Sequence, residues 1–218
     1  MKLTLTNLEF SSFLTYCPRG DGTDLQNSRE AMKFLKTDSN VQTPPIPMSD
    51  LIAKTMAQVR GKLPFESFFN PETIFVPCPS SSLMQPGTLW VPQRIALALI
   101  KFGLGGVCSP CIIRNKPVRK AATSPPHLRP TAYEHYESMI VQGSLTDPKE
   151  IVLIDDIVTR GATLIGAANR LVDLYPDASI KAFAAMRTIS DSHDFKKLID
   201  PCVGIIELVP DDGTFRRP

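Results

Sequence analysis

The most informative part of this chain is the stretch Ile151-Val-Leu-Ile-Asp-Asp-Ile-Val-Thr-Arg-Gly-Ala-Thr163. Its first four residues are apolar, which is typical of a strand buried on both faces of a parallel sheet. Asp155 and Asp156 follow where that strand is expected to end, and a small polar loop, residues 159–163, comes next. Apolar residues then recur at helical spacing: Leu164, Ala167, Ala168, Leu171 and Val172. The sequence predicts a strand, an acidic pair, a loop and a helix.

The order of these parts suits a ligand that carries both a phosphate and a diol. A loop that opens a helix offers free backbone N–H groups and the positive end of the helix dipole to a phosphate. Gly161 allows close approach of the backbone, and Thr159 and Thr163 add hydroxyl donors. Asp155 and Asp156 precede the loop and can accept hydrogen bonds from a vicinal diol. The glycines and lysine of a Walker A loop are missing, and a plain acidic N-cap would need neither the second acid nor the threonines.

These residues resemble the binding motif for 5-phosphoribosyl 1-pyrophosphate (PRPP) in type I phosphoribosyltransferases. That motif is an apolar strand, two acids and a small T-x-G-x-T loop, and the version in this chain is most similar to the ComF-like branch. The resemblance implies that Asp155 and Asp156 hold the ribose hydroxyls. It also implies that the whole loop holds the 5-phosphate: Thr159, Arg160, Gly161, Ala162 and Thr163.

From residue 73 onward, predicted strands alternate with predicted helices, which favours a parallel sheet with helices on both faces. The resemblance implies that this α/β arrangement is the type I phosphoribosyltransferase fold, a mostly parallel twisted sheet with a small hood. We expect residues 1–70 to contribute the hood and a flanking helix, and residues 71–218 to form the core. Residues 73–79 are expected to be the first central strand, and the polar tail from Asp211 to be frayed.

The charge of the chain is unevenly distributed. Residues 73–133 contain no Asp or Glu and carry a charge of +7, whereas the remainder carries −5 and the total is +2. This asymmetry predicts one rim suited to a polyanion. A solvated basic loop is the competing interpretation. The seven cations of the interval are Arg94, Lys101, Arg114, Lys116, Arg119, Lys120 and Arg129.

By the resemblance, two loops bind the pyrophosphate of PRPP. The first follows the strand at residues 73–79, although its serines also fit an ordinary turn. The second, residues 116–130, has few apolar residues; we expect it to be mobile without ligand and to close over PRPP. The residues expected at the pyrophosphate are Ser80, Ser81, Ser82, Arg114, Arg119 and Lys120. The expected catalytic residues are Asp155, Asp156, Arg119 and Lys120.

The resemblance implies transfer of the 5-phosphoribosyl group from PRPP to a nitrogenous base or related acceptor, with release of pyrophosphate. Mg2+ is the expected cofactor, held mainly through ligand oxygens and water, and only Asp155 and Asp156 are candidates for direct contact. The competing interpretation is a non-catalytic PRPP or nucleotide sensor, or a competence-type (ComF-like) DNA-handling factor. Expected partners are PRPP and a small-molecule acceptor. A homodimer stays open, and nucleic acid is the less favoured partner.

Composition narrows the protein class. A chain of 218 residues with 43% hydrophobic content can bury the core of one domain. No apolar run reaches the roughly 18 residues of a membrane-spanning helix, and the first residues lack an apolar signal core. The five cysteines are an odd, scattered set, which favours reduced thiols and a cytoplasmic location. Cys108-Ser-Pro-Cys111 lacks the second ligand pair of a zinc site, so we interpret it as two structural thiols.

Overall fold

The structure, a computed structural model, describes residues 3–120, 124–143, 145–146 and 148–218. The first elements in chain order are β1 (Asn7–Tyr16), α1 (Thr23–Thr37), β2 (Asn40–Val41), β3 (Ile46–Pro47), α2 (Met48–Gln58), β4 (Ile74–Pro77), α3 (Val91–Lys101) and β5 (Val107–Cys108). They are followed by β6 (Ile112–Arg114), α4 (Ala132–Glu137), β7 (Met139–Val141), β8 (Glu150–Val158), α5 (Ala162–Val172), β9 (Ser179–Thr188), β10 (Ile199–Val209) and β11 (Gly213–Arg217).

Seven of these strands form one sheet in the order β11-β10-β1-β9-β8-β4-β5. The pairs β1–β9, β9–β8, β8–β4 and β4–β5 are parallel, while β10 and β11 are antiparallel to their neighbours. The apolar run of β8 lies between β4 and β9, where Leu153 pairs with Val76 on one side and Ala182 on the other. The predicted α/β class with a mostly parallel sheet is confirmed, and the architecture is consistent with the type I phosphoribosyltransferase fold.

Helices cover both faces of the sheet, as expected. On one face α1, α2 and α3 pack over an aromatic cluster in which the ring centroids of Phe69 and Phe183 are 5.3 Å apart in an edge-to-face contact. On the other face α4 and α5 pack over Leu153 and Ile206, both of which are fully buried. Continuous burial on both faces explains why β8 has no polar residue between Ile151 and Ile154. None of the described helices is both long enough and apolar enough to cross a membrane.

The N-terminal strand β1 corrects the expectation that residues 73–79 form the first central strand. β1 lies near the middle of the sheet, between β10 and β9, and Phe10 pairs with Gly204 and with Ala182. The sequence of β1 begins with alternating apolar residues and continues with Ser11 and Ser12, which are both buried. Because serine is usually exposed, these two residues did not indicate a strand that is buried on both faces. The predicted division near residue 70 stays a prediction, but the first strand of that region belongs to the main sheet.

The C-terminal residues also differ from expectation. The tail was expected to be frayed, but β11 pairs with β10 from Gly213 to Arg217. Asp211 and Asp212 both have positive φ, at 61° and 54°, and turn the chain back onto the sheet. Short aspartates tolerate this left-handed backbone better than most residues. A polar composition therefore concealed an edge strand.

The five cysteines are free thiols in the structure. Cys78 and Cys111 are buried, and Cys108 is half-buried. Burial and the neighbouring Cys111 raise the pKa of Cys108 to about 11, which keeps it protonated at neutral pH. A raised thiol pKa is typical of structural cysteines and not of reactive ones.

Candidate functional site

Three strands bring the predicted ligand-binding segments to one edge of the sheet. The serine loop (residues 80–82) follows β4, β8 contains the acidic pair and leads into the predicted phosphate loop (residues 159–163), and Thr188 is the last residue of β9. The backbone N–H of Cys78 donates to the Ile154 carbonyl at 2.8 Å, and the Thr159 and Thr188 hydroxyl oxygens are 2.9 Å apart. Ligands of parallel α/β sheets bind at this carboxyl edge. The segments predicted from sequence therefore meet where a ligand is expected.

The acidic pair lies inside β8 and not after it, which corrects the predicted end of this strand. β8 continues to Val158 because β9 keeps pairing with it as far as Arg187. On its other side, β4 makes its last pair at Ile154, so β8 has no neighbour there beyond that residue. Asp155 and Asp156 thus begin where the pairing with β4 ends, and both residues are half-buried.

One carboxyl group of the acidic pair, that of Asp155, has a raised pKa. Burial, and then the charge of Asp156, raise the pKa of Asp155 to about 8. The Asp155 carboxylate accepts the backbone N–H of Asp156 at 2.9 Å, and the Asp156 carboxylate accepts the N–H of Ile157 at 2.7 Å. These bonds hold both side chains in place. The pair is therefore an oriented, electron-rich group that favours hydroxyl donors or a cation.

Lys36 is a site residue that the sequence did not reveal. Its Nζ, in the last turn of α1, lies 2.7 Å from Asp156 Oδ2. Burial opposes the charge on Lys36, but Asp156 and Asp155 outweigh it, so the pKa of Lys36 is raised. The contact joins residues 120 positions apart in the chain, and no local pattern indicates it. It ties the N-terminal helix to the acidic pair.

The phosphate loop has the backbone geometry that anion binding requires. Gly161 has φ of 89° and precedes the first residue of α5. The N–H of Ile165 makes the helical bond to the Gly161 carbonyl at 3.0 Å, so the N–H groups of residues 162–164 precede the helical ladder. No side chain caps this end of the helix. These amide groups can therefore serve an anion, with the hydroxyl of Thr163 beside them.

Arginines surround the phosphate loop. Arg216, on β11, donates from Nε to the Thr159 carbonyl at 2.8 Å and from Nη2 to the Thr188 carbonyl at 2.6 Å. Burial, and then the charge of Arg187, lower the pKa of Arg216 to about 10. Burial and Arg129 lower the pKa of Arg160. Arg216 was missed because the tail was expected to be frayed, yet it fixes the start of the loop.

The serine loop is held from behind by Arg114. The Ser80 hydroxyl donates to the Ser82 carbonyl at 2.9 Å, and the Ser81 carbonyl accepts the N–H of Val118 at 2.9 Å. Arg114 is only 5% exposed and donates to the Ser80 carbonyl and to the Ser138 hydroxyl. The expected contact of Arg114 with pyrophosphate stays a prediction. The guanidinium of Arg114 holds the serine loop through its hydrogen bond to the Ser80 carbonyl.

His135 joins Arg114 to the phosphate loop. Nη2 of Arg114 lies 2.9 Å from His135 Nδ1, and His135 Nε2 lies 3.4 Å from Thr163 Oγ1. Burial, and then the charge of Arg114, lower the pKa of His135 to about 3. Gly166 permits this arrangement, because a Cβ there would lie 2.7 Å from the Cβ of His135. Nothing in the sequence around Gly166 or His135 indicates that α5 and α4 bring these two residues together.

Arg119 lines a cavity to which the acidic pair does not contribute. Arg119 is exposed and lines a cavity of about 380 Å3 together with Val118, Leu128 and Tyr133. Neither aspartate nor any residue of the phosphate loop lines that cavity. Lys120 accepts a hydrogen bond at its carbonyl from Ser124, 2.9 Å away. Residues 121–123 of the expected closing loop lie outside the described residues, so its closure stays a prediction.

The basic interval is less available to a polyanion than its composition indicates. Lys101 lies 2.6 Å from Asp50, and Lys116 lies 4.0 Å from Glu137. Arg114 is buried. Three of the seven cations are therefore paired with acids from other segments or enclosed. Within the described residues, no group of three His, Cys, Asp or Glu side chains is placed to hold a metal ion.

Comparison with known proteins gives one partial similarity. No family model matches the chain. Over 45 residues, which are 21% of this chain, the sequence is 38% identical to the orotate phosphoribosyltransferase of Pyrobaculum islandicum. The matched stretch is 23% of the length of that protein. The ComF-like branch stays a prediction. Over this short stretch the chain is similar to a phosphoribosyltransferase, in agreement with the resemblance drawn from the acidic pair and the loop.

Proposed function

We propose that this protein binds PRPP with Mg2+ and transfers the 5-phosphoribosyl group to a nitrogenous acceptor, releasing pyrophosphate. One observation carries the proposal. The oriented acidic pair and the helix-opening loop around Gly161 lie at the end of the same strand, at the carboxyl edge of a parallel sheet. The partial similarity to a phosphoribosyltransferase supports it.

In the proposed complex, each half of the site binds one part of the ligand. The 5-phosphate accepts hydrogen bonds from the first amides of α5 and from Thr159 and Thr163. The ribose hydroxyls donate to Asp155 and Asp156, whose backbone contacts already orient both carboxylates. Holding the sugar at both ends fixes the anomeric carbon relative to the acceptor and the leaving group.

The reaction forms a bond from the acceptor nitrogen to the anomeric carbon and breaks the bond from that carbon to the pyrophosphate oxygen. The bonding electrons of the broken bond leave with pyrophosphate, and the acceptor nitrogen releases its proton. Positive charge develops on the ribose ring beside the acidic pair, whose negative charge favours it electrostatically. Lys36 holds Asp156 in place through their 2.7 Å contact. No side chain is assigned as general base.

The residues of the acidic pair fit a magnesium complex. Their donors are carboxylate oxygens, which Mg2+ prefers. Burial, and then Asp156, raise the pKa of Asp155, so a bound cation would favour the ionised form of this carboxyl group. Asp155 and Asp156 are the residues that would hold the ion, alongside oxygens of PRPP and water. When bound, the ion neutralises the charge that develops on the departing pyrophosphate.

The basic interval favours one alternative, a DNA-handling factor that does not turn over PRPP. Arg94, Arg119 and Arg129 belong to it, and Arg129 is close enough to Arg160 to lower the pKa of Arg160. This alternative predicts a steep decrease in DNA affinity as salt increases, because phosphate contacts release counterions. The transferase proposal predicts weak DNA binding and saturable PRPP binding.

The test is calorimetric titration of the protein with PRPP and Mg2+, followed by a pyrophosphate-release assay with a panel of nitrogenous bases. The double variant Asp155→Asn/Asp156→Asn should lose PRPP binding and remain folded. Glu9→Gln is the matched control, because it also removes a carboxylate that contacts a lysine, 3.4 Å away, on the sheet surface toward the amino ends of the strands. Unchanged PRPP affinity in the double variant would overturn the proposal. PRPP binding without release for any base would favour the sensor.

A further inference from the structure

We propose that His135 is a positioning residue that points the hydroxyl proton of Thr163 at the bound 5-phosphate. The inference rests on the proposed function, since it assigns a role at the phosphate of that ligand. Its basis is a buried chain of contacts that runs from the serine loop through Arg114 and His135 to the phosphate loop. Neither ligand-binding loop contains these two residues.

The direction of the hydrogen bonds follows from Arg114. A guanidinium has only donors, so His135 Nδ1, 2.9 Å from Nη2, must accept. An imidazole that accepts at Nδ1 carries its hydrogen on Nε2 when neutral. Nε2 faces Thr163 Oγ1 at 3.4 Å and therefore donates to it. The contact is long, and ligand binding is expected to shorten it.

This direction of the hydrogen bonds makes the Thr163 hydroxyl an acceptor toward His135 and a donor toward the ligand. Its oxygen accepts from His135, so its own hydrogen is available to donate elsewhere. Thr163 is the second residue of α5, where the free amides of the helix also point to an anion. The hydroxyl and the amides then donate to the same phosphate, and the hydrogen bond from His135 fixes the orientation of the hydroxyl group.

The contacts from Arg114 through His135 to Thr163, here called the relay, are shielded from water. His135 is 4% exposed and Arg114 is 5% exposed, so water has little access to either. The three partners that the described chain supplies to Arg114, namely Ser80, Ser138 and His135, are all uncharged. The charge of Arg114 is favoured by Asp155 of the acidic pair, which interacts with it electrostatically. The relay thus links the two loops that, in the proposed function, hold opposite ends of PRPP.

Two amide variants separate the two ends of the imidazole. In His135→Asn the amide lies near the position of Nδ1, which keeps the partner of Arg114 and loses the contact with Thr163. In His135→Gln the amide reaches the position of Nε2, which keeps a donor for Thr163. The probe is ribose 5-phosphate, titrated calorimetrically, because it has the phosphate and lacks the pyrophosphate.

The expected changes follow from the strength of hydrogen bonds to charged groups. Thr163→Val should weaken ribose 5-phosphate binding about tenfold or more, and His135→Asn about fivefold, whereas His135→Gln should stay within about twofold. The double variant His135→Asn/Thr163→Val should bind no more weakly than Thr163→Val alone, because His135 acts through that hydroxyl. Additive losses would overturn the inference, as would equal losses for the Asn and Gln variants.

An NMR measurement distinguishes failure of this inference from failure of the proposed function. Long-range 1H–15N spectra should show neutral His135 with its hydrogen on Nε2. A hydrogen on Nδ1 would overturn the relay even in a protein that binds PRPP. If the tautomer is as expected but the wild type binds neither ribose 5-phosphate nor PRPP, the proposed function is wrong and the role of His135 at the phosphate is wrong with it.

Discussion

Replacement of Gly161 by alanine tests whether the phosphate loop depends on one residue without a side chain. Gly161 has φ of 89°, and a Cβ there would lie 2.6 Å from Cδ1, 2.7 Å from Cγ2 and 2.8 Å from Cγ1 of Ile206. Ile206 is fully buried, and its branched side chain has little rotamer freedom. Neither the loop nor its neighbour can therefore absorb the added methyl group at low cost.

Two contributions set the expected loss of stability. The left-handed backbone costs a residue with a Cβ about 1–2 kcal/mol. Overpacking against Ile206 adds about 1–3 kcal/mol. A total near 3 kcal/mol would lower the melting temperature by roughly 6–12 °C for a chain of this length. Ribose 5-phosphate affinity should fall as well, because the displaced loop carries the first amides of α5.

A matched control separates the two contributions. Gly87 has φ of 79°, and nothing lies within 4 Å of an added Cβ, so Gly87→Ala carries only the backbone cost. Thermal and urea unfolding of the two variants gives the difference due to the collision. Ile206→Ala removes all three clashing atoms. The loss of stability of the Gly161→Ala/Ile206→Ala double variant should therefore be smaller, by more than about 1 kcal/mol, than the sum of the losses of the two single variants. Additivity within about 0.5 kcal/mol would refute the reasoning.

Three further predictions concern charge and the loops. Between its ordinary pKa of 3.8 and about 8, Asp155 keeps a proton in the folded protein that the unfolded chain has released, so the free energy of unfolding falls as pH rises. Asp155→Asn should therefore raise the melting temperature more at pH 8 than at pH 5 in a fluorimetric scan. Arg216→Gln should weaken PRPP binding about tenfold by releasing Thr159, and Arg216→Lys should not restore it, since an ammonium lacks the planar fork; calorimetry measures both. Trypsin should cut the free protein first at Arg119 or Lys120, and PRPP with Mg2+ should protect it far better than ribose 5-phosphate; equal protection would indicate a passive connector.

Local patterns predicted what is local in this fold. The apolar run, acidic pair, small loop and helical repeat of residues 151–172 are encoded within one strand–loop–helix unit, and their order is as predicted, although the strand continues through the acidic pair to Val158. The serine loop was also predicted, because it follows a strand that is apolar and bounded by prolines. In both cases the residues that form the sequence pattern are the residues that form the element.

Contacts between distant segments could not be predicted in this way. Lys36 reaches Asp156 only because α1 packs beside the sheet, and Arg216 reaches the phosphate loop only because β11 turns back onto β10. Arg114 is a candidate for the pyrophosphate because it belongs to the acid-free interval, and nothing in that interval indicates that its guanidinium is buried. Its burial depends on His135 and Ser138, which come from α4 and the residue after it. Charge composition alone does not indicate which side chains face inward.

The central position of β1 has a consequence for how the chain acquires its structure. The two neighbours of β1 in the sheet, β9 and β10, are made more than 160 residues after it, since Phe10 pairs with Ala182 and Gly204. During synthesis, β1 has neither partner until most of the chain has left the ribosome. Contacts of such high sequence separation slow folding, because a long loop must close before they form. We therefore expect the unit from β4 to α5 to collapse first, and the insertion of β1 between β9 and β10 to be the late step that commits the nascent chain to its native sheet.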